Sequence, residues 1–531
     1  YRLSDKSPLV GKGSSKWDDY NIDAPTVDLL GLSRPSPSGS EPDMGAYENS
    51  LAESSSPLPV ADLVATSATN GAKLSWTKNK SSLGSTTDAS NVEYQIYKDG
   101  TLAATTADIA YTLTGLTNGT SYSLAVSALD TTTKLEGAKS DPIAVVPRYL
   151  GPWYVAAGSG ATAGDTLTDY NVGSSTTPLS NLEIAITLAT KMKSAGDTII
   201  LQEGTHEGAS DRDQDWNNTK SLVIMGDPSL TADKIIINAK GNPASNTGGI
   251  TRTHFTFDSG EDTTTQIIGL TLQNGYTKER GGGSVYIYNS SVKFKGVIFK
   301  NNYTTGDDWS SSGAIFIYNS ATVIDSCIFE GNYISLTTNQ GANKGAAIAV
   351  EWQNSSNKIV TITRSIFKNN YISSKSSAQG GAISVNNHAS RIENSLFYGN
   401  TITSAVGNTS SESSRGGAIY INNPNYWDQT VNQYKSLDSY IINNTIVNNH
   451  VKTNVSGSYL TGAALYVEGW DPFSVYVFNN IIWNNKRETS DLQYTDQVYF
   501  SLGDDSRIKL DYNNIQQYSN YQKAKDFGDY T

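Results

Sequence analysis

The chain has 531 residues, of which 17% are charged, and its formal net charge is −12 at pH 7. A chain of this length exceeds one ordinary hydrophobic core, so we expect several domains or a repeat array. Nucleic acids and anionic membranes bind cationic surfaces, and the acidic balance therefore argues against both as partners. No apolar run approaches the roughly 20 residues that membrane insertion requires. The 46 glycines and 31 tyrosines are typical of a β-rich secreted protein.

Residues 1–50 contain short β-like fragments that proline and glycine interrupt. The sequence DLLGLSRP at residues 28–35, followed by PDMGAYE at residues 42–48, resembles the C-terminal closing segment of bacterial parallel β-helix proteins of the choice-of-anchor type. The resemblance implies a segment that closes a β-helix, although here it stands first. The chain begins at Tyr1 without a methionine or a signal-like segment, which predicts a processed product or a piece of a longer protein.

A Ser/Pro linker at residues 51–59 leads into strands that alternate with period two over residues 57–147. The expected strands are 60–68, 73–77, 92–97 and 121–128, with a turn at Asp99-Gly100. Trp76 on the second strand, together with Tyr122 after the sequence LTNGTS, resembles a fibronectin type III domain. In that family Tyr122 would form the tyrosine corner. The resemblance implies a β-sandwich that acts as a spacer or binding platform rather than as an enzyme.

From residue 153 to residue 531 the pattern changes to that of a solenoid. The sequence SNLE at residues 180–183 predicts a capping box at the start of a helix. The residues at helical spacing before Gly196 are Leu182, Ile186, Ala189 and Met192. The following GDTIILQEGTH at residues 196–206 resembles the first strand of pectin-lyase-like proteins. We therefore predict an all-β chain: a right-handed parallel β-helix with an N-terminal capping helix, in addition to the β-sandwich.

Self-similar units begin at residues 283, 313, 346, 381, 417 and 463, each with a Gly or Ala before an aliphatic pair such as Val285 and Ile287. Each unit continues into a second strand that ends in the pattern apolar-x-x-Asn. The apolar and Asn residues of this pattern are Phe299/Asn302, Phe329/Asn332, Phe367/Asn370, Phe397/Asn400, Ile446/Asn449 and Ile482/Asn485. We expect inward aliphatic columns, a stack of the four phenylalanines and a ladder of asparagines at a turn. The single cysteine, Cys327, lies in an apolar run and is predicted to be buried packing rather than a nucleophile. These repeats resemble those of the chlamydial polymorphic outer membrane proteins, which implies adhesion.

Two aromatic rows on the outward side of the first strand of each unit are candidate ligand-binding residues. They could stack against sugar rings or against a partner protein, although stacking between neighbouring coils is an alternative explanation. Two carboxylates, Glu351 and Glu468, share one of these rows, but two intervening units separate them by roughly 14 Å, too far for a concerted pair. The candidate set is Tyr286, Tyr288, Phe316 and Tyr318, joined by Trp352, Trp427 and Trp470.

An acidic loop after the first coil is the candidate metal site. Asp211, Asp213 and Asp215, with Glu203, His206 and Glu207 nearby, place oxygen ligands at short spacing, so that Ca²⁺ is a possible cofactor. The loop lacks the downstream Gly and Glu of an EF-hand, and a solvated acidic surface is the alternative. No other cofactor is expected.

We interpret the chain as a noncatalytic bacterial protein of the cell surface or extracellular space, which serves in adhesion or scaffolding. The alternative is a carbohydrate-active β-helix enzyme, either a polysaccharide lyase or a glycoside hydrolase. Possible partners are carbohydrate, a cell-surface protein and the chain itself. The sequence from Leu510 to Tyr530 resembles the region just upstream of the closing segment, so residues 1–50 of one copy are expected to close the β-helix of a neighbouring copy. This arrangement predicts a head-to-tail fibre or a tandem array.

Overall fold

A computed structural model describes the chain except for residues 1, 8, 52–55, 82–85, 159–169, 192–196, 216–220, 242–251, 279–280, 306–310, 337–342, 376, 405–413, 423–424, 429–431, 454–459, 470–472, 489–492, 495–496, 503–507 and 517–531. The chain divides into two compact units. The first comprises Tyr1–Leu150 with Leu167–Val172, and the second comprises Gly151–Thr166 with Gly173–Thr531.

The first unit contains an antiparallel β-sandwich of three and four strands. The three-stranded sheet consists of Ala61–Ala68, Gly71–Thr77 and Ala110–Thr114, and the four-stranded sheet consists of Thr101–Thr106, Val92–Lys98, Tyr122–Asp130 and Ile143–Val145. Trp76 and Tyr94 meet in the core with ring centroids 5.1 Å apart. The hydroxyl of Tyr122 accepts a hydrogen bond from the backbone N–H of Thr117 at 3.1 Å, which is the geometry of a tyrosine corner.

The first unit also contains residues 2–51, which have little regular structure. A two-stranded ribbon of Lys16–Trp17 and Ile22–Asp23 encloses a short 3-10 helix, Asp18–Tyr20.

The second unit is the predicted right-handed parallel β-helix. Each complete coil passes in turn through four sheets, which we call sheets C, A, B and D; the coil at residues 285–304 is an example. Sheet A contains Trp153–Val155, Thr198–Leu201, Val223–Gly226, Gln266–Ile268, Lys293–Lys295, Val323–Asp325, Ile359–Thr363, Ala389–Glu393, Ser439–Ile442, Val475–Phe478 and Ile508–Asp511. Sheet B contains Gly204–His206, Ile235–Asn238, Thr271–Gln273, Ile298–Lys300, Ile328–Glu330, Ile366–Lys368, Leu396–Tyr398, Thr445–Val447, Ile481–Trp483 and Asn514–Ile515.

The remaining sheets complete the coils. Sheet C contains Phe255–Phe257, Val285–Tyr288, Ile315–Tyr318, Ile348–Glu351, Ile383–Asn386, Ile419–Asn422, Leu465–Gly469 and Val498–Leu502. Sheet D contains Tyr276–Thr277, Tyr303–Thr304, Tyr333–Ser335, Tyr371–Ser374, Thr401–Ser404, His450–Thr453, Lys486–Glu488 and Gln493–Tyr494. A smaller sheet E, which precedes sheet C in the chain, contains Asn343–Lys344, Ala378–Gln379, Ser414–Arg415 and Leu460–Thr461. Two-stranded pairs are Gly281–Gly282 with Ser311–Ser312 and Asn425–Asp428 with Gln433–Ser436.

The interior of the β-helix consists of the columns that the repeat predicts. The rings of Phe299, Phe329, Phe367 and Phe397 are fully buried and stack with centroids 4.6 to 4.7 Å apart and interplanar angles of 3 to 4°. Val285 and Ile287 are also fully buried. The phenylalanine stack and the aliphatic columns are therefore confirmed. Their close packing follows from parallel strand pairing in which equivalent residues of successive coils lie directly opposite each other.

The predicted asparagine ladder is also present, between sheets B and D. The side-chain amide of Asn332 donates to Asn370 Oδ1 at 2.9 Å, and that of Asn370 donates to Asn400 Oδ1 at the same distance. The residue before each ladder asparagine has a left-handed backbone, with φ of 56° at Asn369 and 66° at Gly399. Only Gly and Asn adopt this conformation readily, which explains why every one of these positions holds Gly or Asn.

The first coil is covered by the predicted helix, Leu182–Lys191, but its cap differs from the prediction. Asn181 Oδ1, not the Ser180 hydroxyl, accepts the backbone N–H of Ile184 at 3.0 Å. The predicted capping box at Ser180 is therefore wrong, because the helix begins one residue later than the SNLE pattern suggested. Met192 and Gly196 lie outside the described residues.

Candidate functional site

The first aromatic row of sheet C is largely buried. Tyr286 and Phe316 stack at 5.7 Å, and Phe316, like Tyr420 further along the row, has no exposed surface. Sheet E supplies part of the cover, since the guanidinium of Arg415 lies 5.1 Å from the ring centroid of Tyr466 in the same row. Phe316 cannot contact a ligand from this position. The alternation of side chains along one strand predicts which residues face inward and which face outward. It does not predict that other segments of the chain pack over the outward side chains.

The second row is more accessible. The rings of Tyr288, Tyr318 and Trp352 form a continuous stack, with centroid separations of 5.0 and 5.4 Å, and all three side chains are half-buried. Trp352 follows the strand in a left-handed backbone conformation with φ of 47°. Of the other candidates, Trp427 lies in the strand Asn425–Asp428 but its side chain is not described, and Trp470 lies outside the described residues.

The two carboxylates of this row are each held by a cation from sheet E. Glu351 Oε1 lies 2.8 Å from Lys344 Nζ, and both side chains are mostly buried. The amide of Asn386, in the next coil, donates to the same oxygen at 3.3 Å. Glu351 is therefore a partner in a structural ion pair, with little of its surface open to solvent.

Glu468 occupies a more elaborate cluster. Its Oε2 lies 2.5 Å from Arg415 Nη1 and accepts the Tyr466 hydroxyl at 3.2 Å, while its Oε1 accepts the Tyr420 hydroxyl. Burial, followed by the charge of Glu468, raises the pKa of both Tyr420 and Tyr466, so both stay protonated and donate. Burial opposes the charge of Arg415, but Tyr466 and Glu468 outweigh it and raise the pKa of the guanidinium.

Sequence reasoning missed the cationic half of these pairs. Lys344, Gln379, Arg415 and Thr461 occupy one register position in sheet E, each directly before a glycine. The sequence repeat places a basic residue, Lys344 or Arg415, at this position in two of the units, and that pattern could have predicted the partners of the two glutamates.

Two aspartates of the acidic loop are bonded to backbone groups of other segments. Asp211 is buried, and its two oxygens accept the backbone N–H groups of Leu182 and Gly208, both at 2.9 Å. Asp213 accepts the backbone N–H of Thr253 at 2.7 Å and pairs with Arg212, and burial raises the pKa of its carboxyl. No group of three or more His, Cys, Asp or Glu side chains close enough for a metal occurs among the described residues, which include Asp215. Asp211 and Asp213 thus act as backbone acceptors at separate places, and the Ca²⁺ site remains a prediction.

Cys327 is fully buried, as predicted. Burial raises the pKa of its thiol to about 12, so the thiolate that a nucleophile needs does not form near neutral pH.

Comparison with known proteins leaves the function open. No family model matches the chain, and no curated protein matches it. Among solved structures, the chain is similar to the family 28 exopolygalacturonase of Yersinia enterocolitica, with 12% sequence identity over 87% of this chain and 99% of that chain and a TM-score of 0.19. At that TM-score the likeness supports no conclusion about activity. Within the described part of the chain, no helix is long and apolar enough to cross a membrane.

Proposed function

We propose that the chain is a noncatalytic extracellular protein of a bacterial surface that serves in adhesion or scaffolding and assembles head-to-tail. The proposal rests on the pairing and the separation of Glu351 and Glu468, the two acidic residues in the second outward row of sheet C. Each is paired with a cation, and three strand steps, roughly 14 Å, separate them. Hydrolysis by two carboxylates requires that both lie beside the same scissile bond of the substrate.

The half-buried stack of Tyr288, Tyr318 and Trp352 is the surface we assign to ligand contact. Its rings present both an apolar body and, for the tyrosines, a hydroxyl. Sugar rings and the side chains of a cell-surface protein both suit such a surface. We assign the β-sandwich, on its Trp76 and Tyr122, to the fibronectin type III domains, and it then serves as the spacer between successive β-helices.

A carbohydrate-active enzyme remains the second candidate because of the cluster around Glu468. There a partly exposed carboxylate, an arginine and two tyrosine hydroxyls lie together, and groups of these types perform acid-base chemistry on polysaccharides.

The two candidates are separated by incubating the full chain with a panel of uronic-acid and neutral polysaccharides. We expect no new reducing ends or unsaturated products. Turnover that Glu468→Gln abolishes and Glu330→Gln retains would overturn the proposal, since Glu330 pairs with Lys368 on sheet B, outside the cluster. For any polysaccharide that binds, Trp352→Ala should weaken binding about fivefold or more through the lost stacking. Tyr371→Ala, an exposed tyrosine of sheet D, is the matched control.

A further inference from the structure

The connection between sheets C and A is longer in one coil than in the coils before it. Four residues separate the two strands at 289–292 and again at 319–322, whereas seven residues, 352–358, separate them in the next coil. We call residues 352–358 the corner loop. It begins with Trp352, whose ring stacks on Tyr318 in the surface that we assign to ligand contact. A movement of the corner loop would therefore change that surface.

The side chain of His388 is buried against the corner loop. His388 lies at the same corner of the following coil and has no exposed surface. Its Nδ1 donates to the carbonyl of Ala389 at 2.7 Å, so the neutral ring carries its proton on Nδ1. The ring also lies near the carbonyl of Ser320, two coils earlier, and near the ammonium group of Lys358 in the corner loop. The imidazole thus lies where the corner of the intervening coil is enlarged.

Two side chains of the corner loop attach it to the neighbouring coils. Gln353 is fully buried, and its Oε1 accepts the backbone N–H of Ala389 at 2.6 Å. Lys358 Nζ donates to the carbonyl of Asn319 at 2.8 Å. Local opening of a surface loop costs less free energy than unfolding of the whole domain. The corner loop can therefore open while the coils stay stacked.

Protonation of His388 is unfavourable while the corner loop is closed. Burial outweighs the nearby backbone carbonyls and lowers the pKa of His388 to about 4, and the charge of Lys358 lowers it further. A second proton would reside on Nε2, which is buried and has no hydrogen-bond partner among the described residues. The corner loop, residues 319–322 and residues 387–388 contain no acidic side chain that could balance the charge. An imidazolium at this position is stable only in contact with water.

We infer that protonation of His388 opens the corner loop and removes Trp352 from the aromatic stack, so that acid regulates the ligand surface. The inference rests on the proposed function only for the role of that stack. In the open loop the imidazole is hydrated and its pKa returns to about 6.5. With a pKa of about 4 in the closed form, the equilibrium constant for opening should rise about 20-fold between pH 7 and pH 5.

Hydrogen exchange of the full chain at pH 7 and pH 5, measured by mass spectrometry, tests the opening. The backbone N–H of Trp352 donates to the carbonyl of Asn386 at 2.9 Å, and that of Asn354 donates to Asn319 Oδ1 at 2.9 Å. Both groups are therefore protected in the closed loop and exchange when it opens. After correction for the intrinsic effect of pH on exchange, peptides that cover residues 352–358 should show the 20-fold rise. They should also exchange faster than peptides from sheet B at both pH values.

Two matched variants identify the histidine responsible. Glutamine is uncharged at every pH, and its amide can donate to the carbonyl that His388 uses, so His388→Gln should abolish the rise. His254 is the control because it is also fully buried, with a pKa that burial lowers to about 4, but lies in another coil. His254→Gln should retain the rise, since a local opening of the corner loop leaves His254 buried.

Four results would overturn the inference. They are an opening constant that does not rise at pH 5, a corner loop that exchanges no faster than sheet B, a rise that His388→Gln retains, and a rise that His254→Gln abolishes. If circular dichroism shows that His388→Gln does not fold, the wild-type and His254→Gln chains still decide the question. Polysaccharide turnover would overturn the noncatalytic function but leave the acid-sensitive corner loop standing.

Discussion

The asparagine ladder should contribute strongly to the stability of the β-helix, and Asn370→Ala is the sharpest test. Asn370 Oδ1 accepts the backbone N–H and the side-chain amide of Asn332 at 3.0 and 2.9 Å. Its own amide donates to the carbonyl of Phe329 at 3.0 Å and to Asn400 Oδ1 at 2.9 Å. The substitution removes all four bonds at a fully buried position. A buried backbone group without a partner costs about 1–3 kcal/mol, so losing partners at Asn332 and Phe329 should lower the free energy of unfolding by about 4 kcal/mol.

The assay is urea unfolding followed by circular dichroism, with Asn369→Gly as the matched control. Asn369 adjoins Asn370 but adopts a left-handed backbone, φ 56°, that Gly399 adopts in the next coil. Glycine is tolerated there, and we expect a change within about 1 kcal/mol. A loss below about 1 kcal/mol for Asn370→Ala, or equal losses for the two variants, would refute the argument that the ladder is a main stabilising element.

Three further predictions concern individual titratable groups. Burial lowers the pKa of His254 and of His388 from 6.5 to about 4. Between these pH values the unfolded chain therefore binds more protons than the folded chain, and each histidine should lower the free energy of unfolding by about 3 kcal/mol as the pH falls from 6.5 to 4. A melting temperature that does not change with pH over that range would contradict this prediction. Because Asp213 is bonded to Thr253 and Arg212, EDTA should leave the melting temperature unchanged, and a decrease that Asp213→Asn removes would restore a calcium site. Cys327 should resist a thiol reagent until urea unfolds the chain, and Cys327→Ser should cost less than about 1.5 kcal/mol because Ser365 occupies the equivalent position in the next coil; rapid labelling of the native chain would show that the thiol is accessible.

Much of the β-helix could be predicted from the sequence because each coil is specified by a short local pattern that recurs along the chain. A fixed offset between Val285 and Phe299, found again in later units, requires that coils stack in register. The phenylalanine stack and the ladder through Asn370 then follow from parallel pairing alone. The same repeat located Glu351 and Glu468 and correctly placed them too far apart for a concerted pair.

The rest depended on contacts between segments that no local pattern connects. Phe316 looked available for a ligand, but it is fully buried. Strand alternation carries no information about what covers the outer face of a sheet. Asp211 looked like a calcium ligand, but it bonds the start of a helix 29 residues earlier in the chain.

The N-terminal segment shows the same division most clearly. The sequence by itself determined the motif with Asp28, Arg34 and Glu48. Only the tertiary structure decided that these charges face inward and the neighbouring leucines outward. The physical reason is that buried charges are stable only when they are paired and hydrogen-bonded, and their partners here lie 14 to 20 residues apart in the chain.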